Sequence, residues 1–308
     1  MTPHSLTPHS RSAGRRAPSL VSVVVPARNA RPEIDEQLEA LAVQDYAGPW
    51  EVVVSDNGST DGLREHLERH PLREKLSLRV VDSADVPGAA HARNVGARHA
   101  RGDLVAVVDA DDRVHSEWLR ELVAVAADHD SVGGAREVES INSPEVAQWR
   151  PMPDPSEQPT LFRFLPVAVS CNFAVWKDVL DELGGWDESY DVGGEDLEFC
   201  LRLQLAGFTL GYAPDAVIAY RLRDTLRGLW RQCIAYGRAD ARLYRDFREH
   251  GMPRRSSIAL ADTLAYIVLR NPLVPRMIRR NSTGMWVFHL ASLVGRIRGS
   301  VENRVFYV

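Results

Sequence analysis

An apolar run that ends in acid carries the clearest chemistry in this chain. Leu104-Val105-Ala106-Val107-Val108 is followed at once by Asp109-Ala110-Asp111-Asp112. A continuous valine-rich run bounded by turn residues predicts a buried strand. Its three carboxylates then stand at the C-terminal edge of a sheet, where open α/β sheets bind ligands. Carboxylates gathered at one place repel unless something positive joins them. Mg²⁺ or Mn²⁺, hard cations that take oxygen ligands, would do so and would keep coordination positions for a substrate's phosphates. Taken alone, the same residues also read as a polar turn before a helix capped by Ser116.

Three further groups have chemical potential. Asp56-Asn57-Gly58-Ser59-Thr60-Asp61 follows a second apolar run. Asp and Asn offer the acceptors and donors that suit a base edge, while Ser59, Thr60 or Asp61 can cap the next helix. A plain turn is the alternative. Gly88-Ala89-Ala90-His91-Ala92-Arg93-Asn94-Val95-Gly96 opens a helix whose small residues let a ligand approach. Arg93 could grip a phosphate with its planar fork, or sit in a surface ion pair on a packed helix. The segment is neither a Walker loop nor a GxGxxG fingerprint. Gly193-Gly194-Glu195-Asp196 precedes a helix with Leu197, Leu201 and Leu205 on one face. Acids are favoured at a helix N-terminus by the dipole alone. A functional Asp there would take the proton of a hydroxyl.

These groups need elements to hold them. Strands are predicted at residues 22–25, 51–55, 78–81 and 104–108. Helices are predicted from Ile34, from Leu63, over residues 89–100 and through Trp118, Leu122 and Val125. Strand, helix, strand at this spacing means βαβ units and a mostly parallel, Rossmann-like sheet flanked by helices. Residues 141–166 are crowded with proline, and long irregular segments inside a compact domain usually line a site. Compact α/β structure resumes over residues 167–220, and the chain is helical and arginine-rich beyond.

The predicted organisation is a disordered tail at 1–19, a catalytic domain at 20–220 and a basic amphipathic helical extension at 221–308. The tail is rich in Ser, Pro, His and Arg and has no apolar segment of a secretory signal. Cys171, Cys200 and Cys233 are odd in number and form no CxxC pair, which excludes a zinc signature and a disulfide framework and suits a cytoplasmic protein. The net charge of −5 hides a division. Residues 221–308 carry 17 Arg, no Lys and six acids, a net +11, so the rest carries −16. A basic part of this kind faces an anionic partner: a membrane surface, a nucleic acid, or the acidic part of the same protein. No apolar stretch is long enough to span a bilayer, but basic amphipathic helices with Trp230 or Trp286 suit a membrane interface. The alternatives are packing on the catalytic domain or a homodimer surface.

In order along the chain, six segments together resemble the inverting family 2 glycosyltransferases of GT-A fold. They are Val23-Val24-Val25-Pro26-Ala27-Arg28-Asn29, Val54-Ser55-Asp56-Asn57-Gly58-Ser59-Thr60-Asp61, Ala92-Arg93-Asn94-Val95-Gly96, Asp109-Ala110-Asp111-Asp112, Leu183-Gly184-Gly185-Trp186-Asp187 and Gly194-Glu195-Asp196. The resemblance implies that Pro26, Arg28 and Asn29 line a nucleotide pocket, that Asp56 accepts from the base, and that Arg93 lies near the phosphates. Asp109 would face the ribose and metal, and Asp111 the metal. Asp196 would be the catalytic base with Glu195 beside it, and Trp186 and Asp187 would shape the acceptor side. The implied partners are a UDP, GDP or dTDP sugar and a glycan or lipid-linked acceptor, not a nucleic acid, at the inner face of the cell membrane. Two positions depart from the family pattern. Asn57 stands where many relatives have an acid, and Tyr220 where many have a His that helps hold metal or diphosphate. A nucleotidyltransferase would carry a Gly-rich loop where Pro26-Ala27-Arg28-Asn29 stands. A non-catalytic sugar-nucleotide-binding protein would not need the acids at 109, 111, 195 and 196.

Overall fold

The computed structural model describes residues 14–191, 193–275 and 281–308. Residues 1–13 of the expected tail, and Arg276, Arg279 and Arg280 of the basic extension, lie outside the described residues. Residues 14–19 run along the surface. There Arg15 pairs with Asp130 at 2.7 Å and Asp178 at 2.9 Å, and Ser19 bonds Asp103.

One eight-stranded sheet forms the frame. Its strands are β1 (Val21–Ala27), β2 (Trp50–Asp56), β3 (Arg79–Asp82), β4 (Leu104–Val108), β5 (Arg113–Val114), β6 (Ser131–Glu137), β7 (Asn172–Trp176) and β8 (Leu210–Ala219), in the order β3-β2-β1-β4-β7-β6-β8-β5. Four of the seven pairings are parallel, including all those of the first half, and three are antiparallel. The parallel strands β1 and β4 are near-continuous runs of Val, Leu and Ala because helices cover both faces. Chain order reverses beside β1, which pairs with β2 on one side and β4 on the other. A crevice opens at the carboxyl ends of strands at such a point.

The first helices are α1 (Ile34–Leu41), α2 (Leu63–Glu68), α3 (Ala89–His99), α4 (Trp118–Ala126) and a single turn, α5 (Pro144–Ala147). Gly96 lets α3 lie close on the sheet: a Cβ there would stand 2.4 Å from Val24 Cγ1. Helices α6 (Lys177–Leu183) and α7 (Glu195–Leu205) follow β7. The short strand β5 pairs with the end of β8, which brings the acidic loop after β4 beside Arg221 and Arg223.

The basic extension folds back on this frame. Helix α8 (Leu226–Phe247) is capped by Thr225 and packs along α10 (Thr283–Glu302). Backbones touch there, since a Cβ on Gly295 would lie 2.5 Å from Ile234 O. Arg238–Glu302 and Arg296–Asp240 pairs join the two helices. Leu229, Cys233, Val287 and Ala291 form a second core with Val138, Val146, Trp149 and Leu222. Helix α9 (Ser257–Leu269) differs, as it has no buried residue.

Candidate active site

A cleft of about 470 Å³ opens at the carboxyl ends of β1, β2 and β4. Pro26, Arg28 and Asn29 form one wall; Gly88, Ala89, Ala92 and Arg93 form another; Asp109, Asp111 and Arg223 form the floor and rim. Its loops are stapled together. Asn29, at φ 53°, accepts from the Thr60 N–H at 2.8 Å, and its own N–H donates to Ser59 Oγ at 2.9 Å. Asn57 donates to the carbonyls of Ser83 and Val86 and accepts from the Gly88 N–H at 2.9 Å. Asn57 thus fixes the entry to α3. An acid at this position could accept from Gly88 but could not donate to the two carbonyls.

Arg93 links this cleft to a second one. Its guanidinium, on the buried side of α3, donates to Asp109 Oδ1 at 3.1 Å and to Glu195. Burial works against its charge, but Asp109, Glu195 and Asp196 together raise its pKa. Glu195 and Asp196 open α7 after Gly193 and Gly194, both in the left-handed region at φ 109° and 89°. A Cβ on Gly194 would stand 2.9 Å from Ala239 on α8. Asp196 lines a cavity of about 280 Å³ whose wall also includes Arg93 and Asp109. Burial and then Glu195 push the Asp196 pKa up to about 6, against Arg93.

The acidic loop after β4 divides its labour. Asp109 and Asp111 keep about 30% of their side chains exposed and line the first cleft. Asp112 is buried; its Oδ1 accepts from the Arg221 N–H at 2.8 Å, and its Oδ2 has no partner among the described residues. Asp109, Asp112 and Cys171 bring ligand atoms within 4.8 Å of one another. Burial, then Asp112, holds the Cys171 thiol well above its ordinary range, so it stays protonated. A neutral soft thiol does not suit Mg²⁺ or Mn²⁺. The open carboxylates of Asp109 and Asp111 do. Burial, then Asp109, raises the Asp111 pKa, and Arg223 at 3.4 Å opposes this. Extra positive charge at this pair would relieve a real repulsion.

Several expected positions fall elsewhere. Asp56 is 5% exposed; it accepts from the Ser59 N–H at 3.0 Å, lies 3.5 Å from Arg64, and stands behind Asn57 rather than on the cleft wall. Trp186 lines neither cavity. It is 2% exposed, stacks on Phe199 at 5.3 Å and donates to Ser170. An indole is large and apolar enough to be drawn into the core, and Asn94 fixes its backbone at both N–H and C=O. Asp187 caps the next turn through the Ser189 N–H and lines neither cavity. Tyr220 lines the second cavity, not the first; Arg223 is the residue after β8 that reaches the first. Arg223, Arg136, Arg150 and Tyr236 were not legible as site residues, since nothing separates them from other surface arginines and tyrosines in the sequence.

The sequence model of glycosyl transferase family 2 matches residues 22–184, more than half of the chain and the whole first cleft apart from Arg223. The chain belongs to this family. A second model, glycosyl transferase family group 2, matches residues 160–295. Among relatives of this family, glycosyltransferase AglE of Haloferax volcanii is 28% identical over 200 residues, which are 64% of this chain and 65% of AglE. The poly(ribitol-phosphate) β-N-acetylglucosaminyltransferase TarS of Staphylococcus aureus is 35% identical over 129 residues, 41% of this chain and 22% of TarS. The chain thus spans less than two thirds of the length of either relative. The glycosyltransferase fold is shown by two solved structures. The mannosyltransferase PcManGT of Pyrobaculum calidifontis, in complex with GDP-Man and Mn²⁺, matches with a TM-score of 0.58 at 23% identity, covering 93% of this chain and 90% of that one. S. aureus TarS 1-349 with UDP matches with a TM-score of 0.53 at 20% identity, covering 94% and 93%.

Proposed function

We propose that this family 2 chain is an inverting, metal-dependent glycosyltransferase that moves a sugar from a nucleoside-diphosphate donor to an acceptor hydroxyl. The observation that carries the reading is the shared wall. Arg93 and Asp109 line both cavities, so a donor in the first would present its sugar to the second, where Asp196 stands. Pro26, Arg28 and Asn29 would hold the nucleoside, with Asn57 shaping its loop. Arg93 and Arg223 would face the diphosphate. Asp109 and Asp111 would hold Mg²⁺ or Mn²⁺, which supplies positive charge to the departing diphosphate. PcManGT, with GDP-Man and Mn²⁺, is a precedent for such a donor and metal.

Asp196 would act as general base. Raised to about 6, it is ionised at neutral pH yet more basic than an ordinary carboxylate. It takes the acceptor's proton as the acceptor oxygen bonds to the anomeric carbon. The bond from that carbon to the phosphate oxygen breaks on the opposite face, and the diphosphate leaves with the electron pair. Glu195, tied to Arg93, would hold the base in place. The donor would be a UDP, GDP or dTDP sugar and the acceptor a glycan or lipid-linked glycan; TarS and the teichuronic acid relative TuaG of Bacillus subtilis support a cell-envelope role. Incubation with a panel of nucleotide sugars and Mn²⁺ tests the reading. Sugar-specific release of nucleoside diphosphate is expected. Tight binding without turnover would instead favour a non-catalytic binding protein, and pyrophosphate release a nucleotidyltransferase.

Peripheral attachment to the inner face of the membrane is supported by one observation. Helix α9 leaves Ile258, Val268 and Leu269 between 66% and 72% exposed, and Leu273 just beyond is 95% exposed. Among the described residues no helix is long and apolar enough to cross a membrane. An apolar face beside Arg254, Arg255 and Arg270 suits an anionic interface. Pelleting with anionic vesicles should fall in an Ile258→Glu, Val268→Glu variant and as salt rises. Unchanged pelleting of the variant would reject α9 as the contact.

A further inference from the structure

The second cavity is lined by charges of both signs. Four acids line the cavity, and three of them face an arginine. Asp109 and Glu195 pair with Arg93, Asp240 lies 3.8 Å from Arg296, and Asp196 is the proposed base. Two arginines on the same wall have no such answer. Neither Arg136, near the end of β6, nor Arg150, just after α5, has a carboxylate within 4 Å among the described residues. Arg150 Nη1 is buried and has no hydrogen-bond partner among the described residues. Its guanidinium lies between two phenol rings, 5.8 Å from the centre of Tyr220 and 5.3 Å from that of Tyr236, and Arg136 lies 5.5 Å from Tyr220.

A buried donor on a charged group is costly to leave unsatisfied. Folding nonetheless fixes Arg150 firmly. Its neighbour Trp149 is buried against α10, where a Cβ on Gly284 would stand 2.1 Å from the indole. Ser143 caps the turn that precedes it. The guanidinium is therefore held ready by both the catalytic frame and the helical extension, with a free N–H beside a cavity that leads to Asp196.

We infer that Arg136 and Arg150 bind an anionic group on the acceptor, a phosphate or a carboxylate, and so place its hydroxyl at Asp196. The inference rests on the glycosyltransferase reading and narrows its acceptor class. A guanidinium fork matches either anion in a bidentate manner. The Tyr220 phenol adds a hydroxyl donor, since burial holds its pKa well above its ordinary value. Arg136 also tempers the charge of buried Asp112, so Arg150 is the cleaner of the two to change.

The test uses the full chain, saturated with whichever nucleoside diphosphate it binds best in Mn²⁺, so that the first cleft is filled. Calorimetry then compares glycerol 3-phosphate and glucuronate with glycerol and glucose. At least one anion should bind tenfold or more tightly than its neutral counterpart. Both Arg150→Gln and Arg136→Gln should lower that affinity about tenfold or more while still binding the nucleotide. Preference for glycerol 3-phosphate assigns a phosphorylated acceptor, and preference for glucuronate a uronate. Equal binding of neutral and charged probes, no binding of any, or undiminished anion binding in a folded variant overturns the inference. Should Arg150→Gln fail to fold, Arg136→Gln alone decides. A chain that binds no nucleoside diphosphate at all would instead undo the glycosyltransferase reading itself.

Discussion

Arg93 and Glu195 form a buried ion pair across 102 positions of sequence, and the same guanidinium reaches Asp109. Removing one partner of a buried pair typically costs about 3–5 kcal/mol, because the other charge is left unanswered. Arg93→Ala should therefore lower stability by that order in urea unfolding. Adding Glu195→Gln to Arg93→Ala should recover part of the loss. Equal stability of the single and double variants would show that the pair is not coupled.

Asp196→Asn should reduce transfer by at least about 10²-fold, within the ~10²–10⁴ that general-base catalysis contributes. Nucleotide binding should survive, because Asp196 does not line the first cleft. The wild-type rate should fall on the acid side of about pH 6, where the base becomes protonated. The stability effect has the opposite sense. A carboxyl whose pKa is raised on folding binds more protons folded than unfolded, so its ionisation destabilises the fold as pH rises from about 4 to 6. Asp196→Asn should thus raise the melting temperature at pH 8 and change it little at pH 4.

Asp111→Asn should remove the dependence of nucleoside diphosphate binding on Mn²⁺. Even residues outside the coordination sphere alter metal affinity roughly ten- to a hundredfold, so a direct ligand should do at least as much. In EDTA the variant should bind nucleotide no worse than wild type, since it lacks one negative charge and frees Arg223. Titration calorimetry with and without Mn²⁺ measures both. Equal metal enhancement in the two proteins would remove Asp111 from the metal site.

Trp186→Ala should act as a core lesion. Deleting a buried Trp costs about 3–5 kcal/mol, whereas Trp186→Phe should keep most of the stacking on Phe199. If Trp186 contacted the acceptor, both variants would raise the acceptor KM at unchanged melting temperature. The expected result is a large melting shift for Ala and a small one for Phe.

Gly295→Leu should push α8 from α10, because a Cβ there already meets Ile234 O at 2.5 Å. Overpacking typically costs about 1–3 kcal/mol. Since Trp149 leans on α10, the same variant should weaken anion binding at Arg150 more than nucleotide binding in the first cleft. Circular dichroism melts and calorimetry separate the two effects.

By itself the sequence determined the parallel half of the sheet and the acids at its edge. Strand β4 is legible because a strand buried on both faces needs an unbroken apolar run, and the aspartates that follow cannot continue it. The glycine pair before Glu195 is legible because only a residue without a Cβ follows that left-handed path readily. Local pattern could not tell which polar side chains face the cleft. Asp56 and Asn57 are neighbours on one turn, yet the first turns back to Ser59 and Arg64 while the second lines the cleft. Nor could it tell which aromatic is core: Trp186 lies between site motifs in sequence but is drawn inward by Phe199. The pairing of β5 with β8 decides that Arg223 meets Asp111, and the docking of α8 and α10 decides that Arg150 and Tyr236 line the same cavity as Asp196. Such contacts join residues tens to more than a hundred positions apart. Their energy depends on burial and on the partner's charge, and both exist only once the chain has closed on itself.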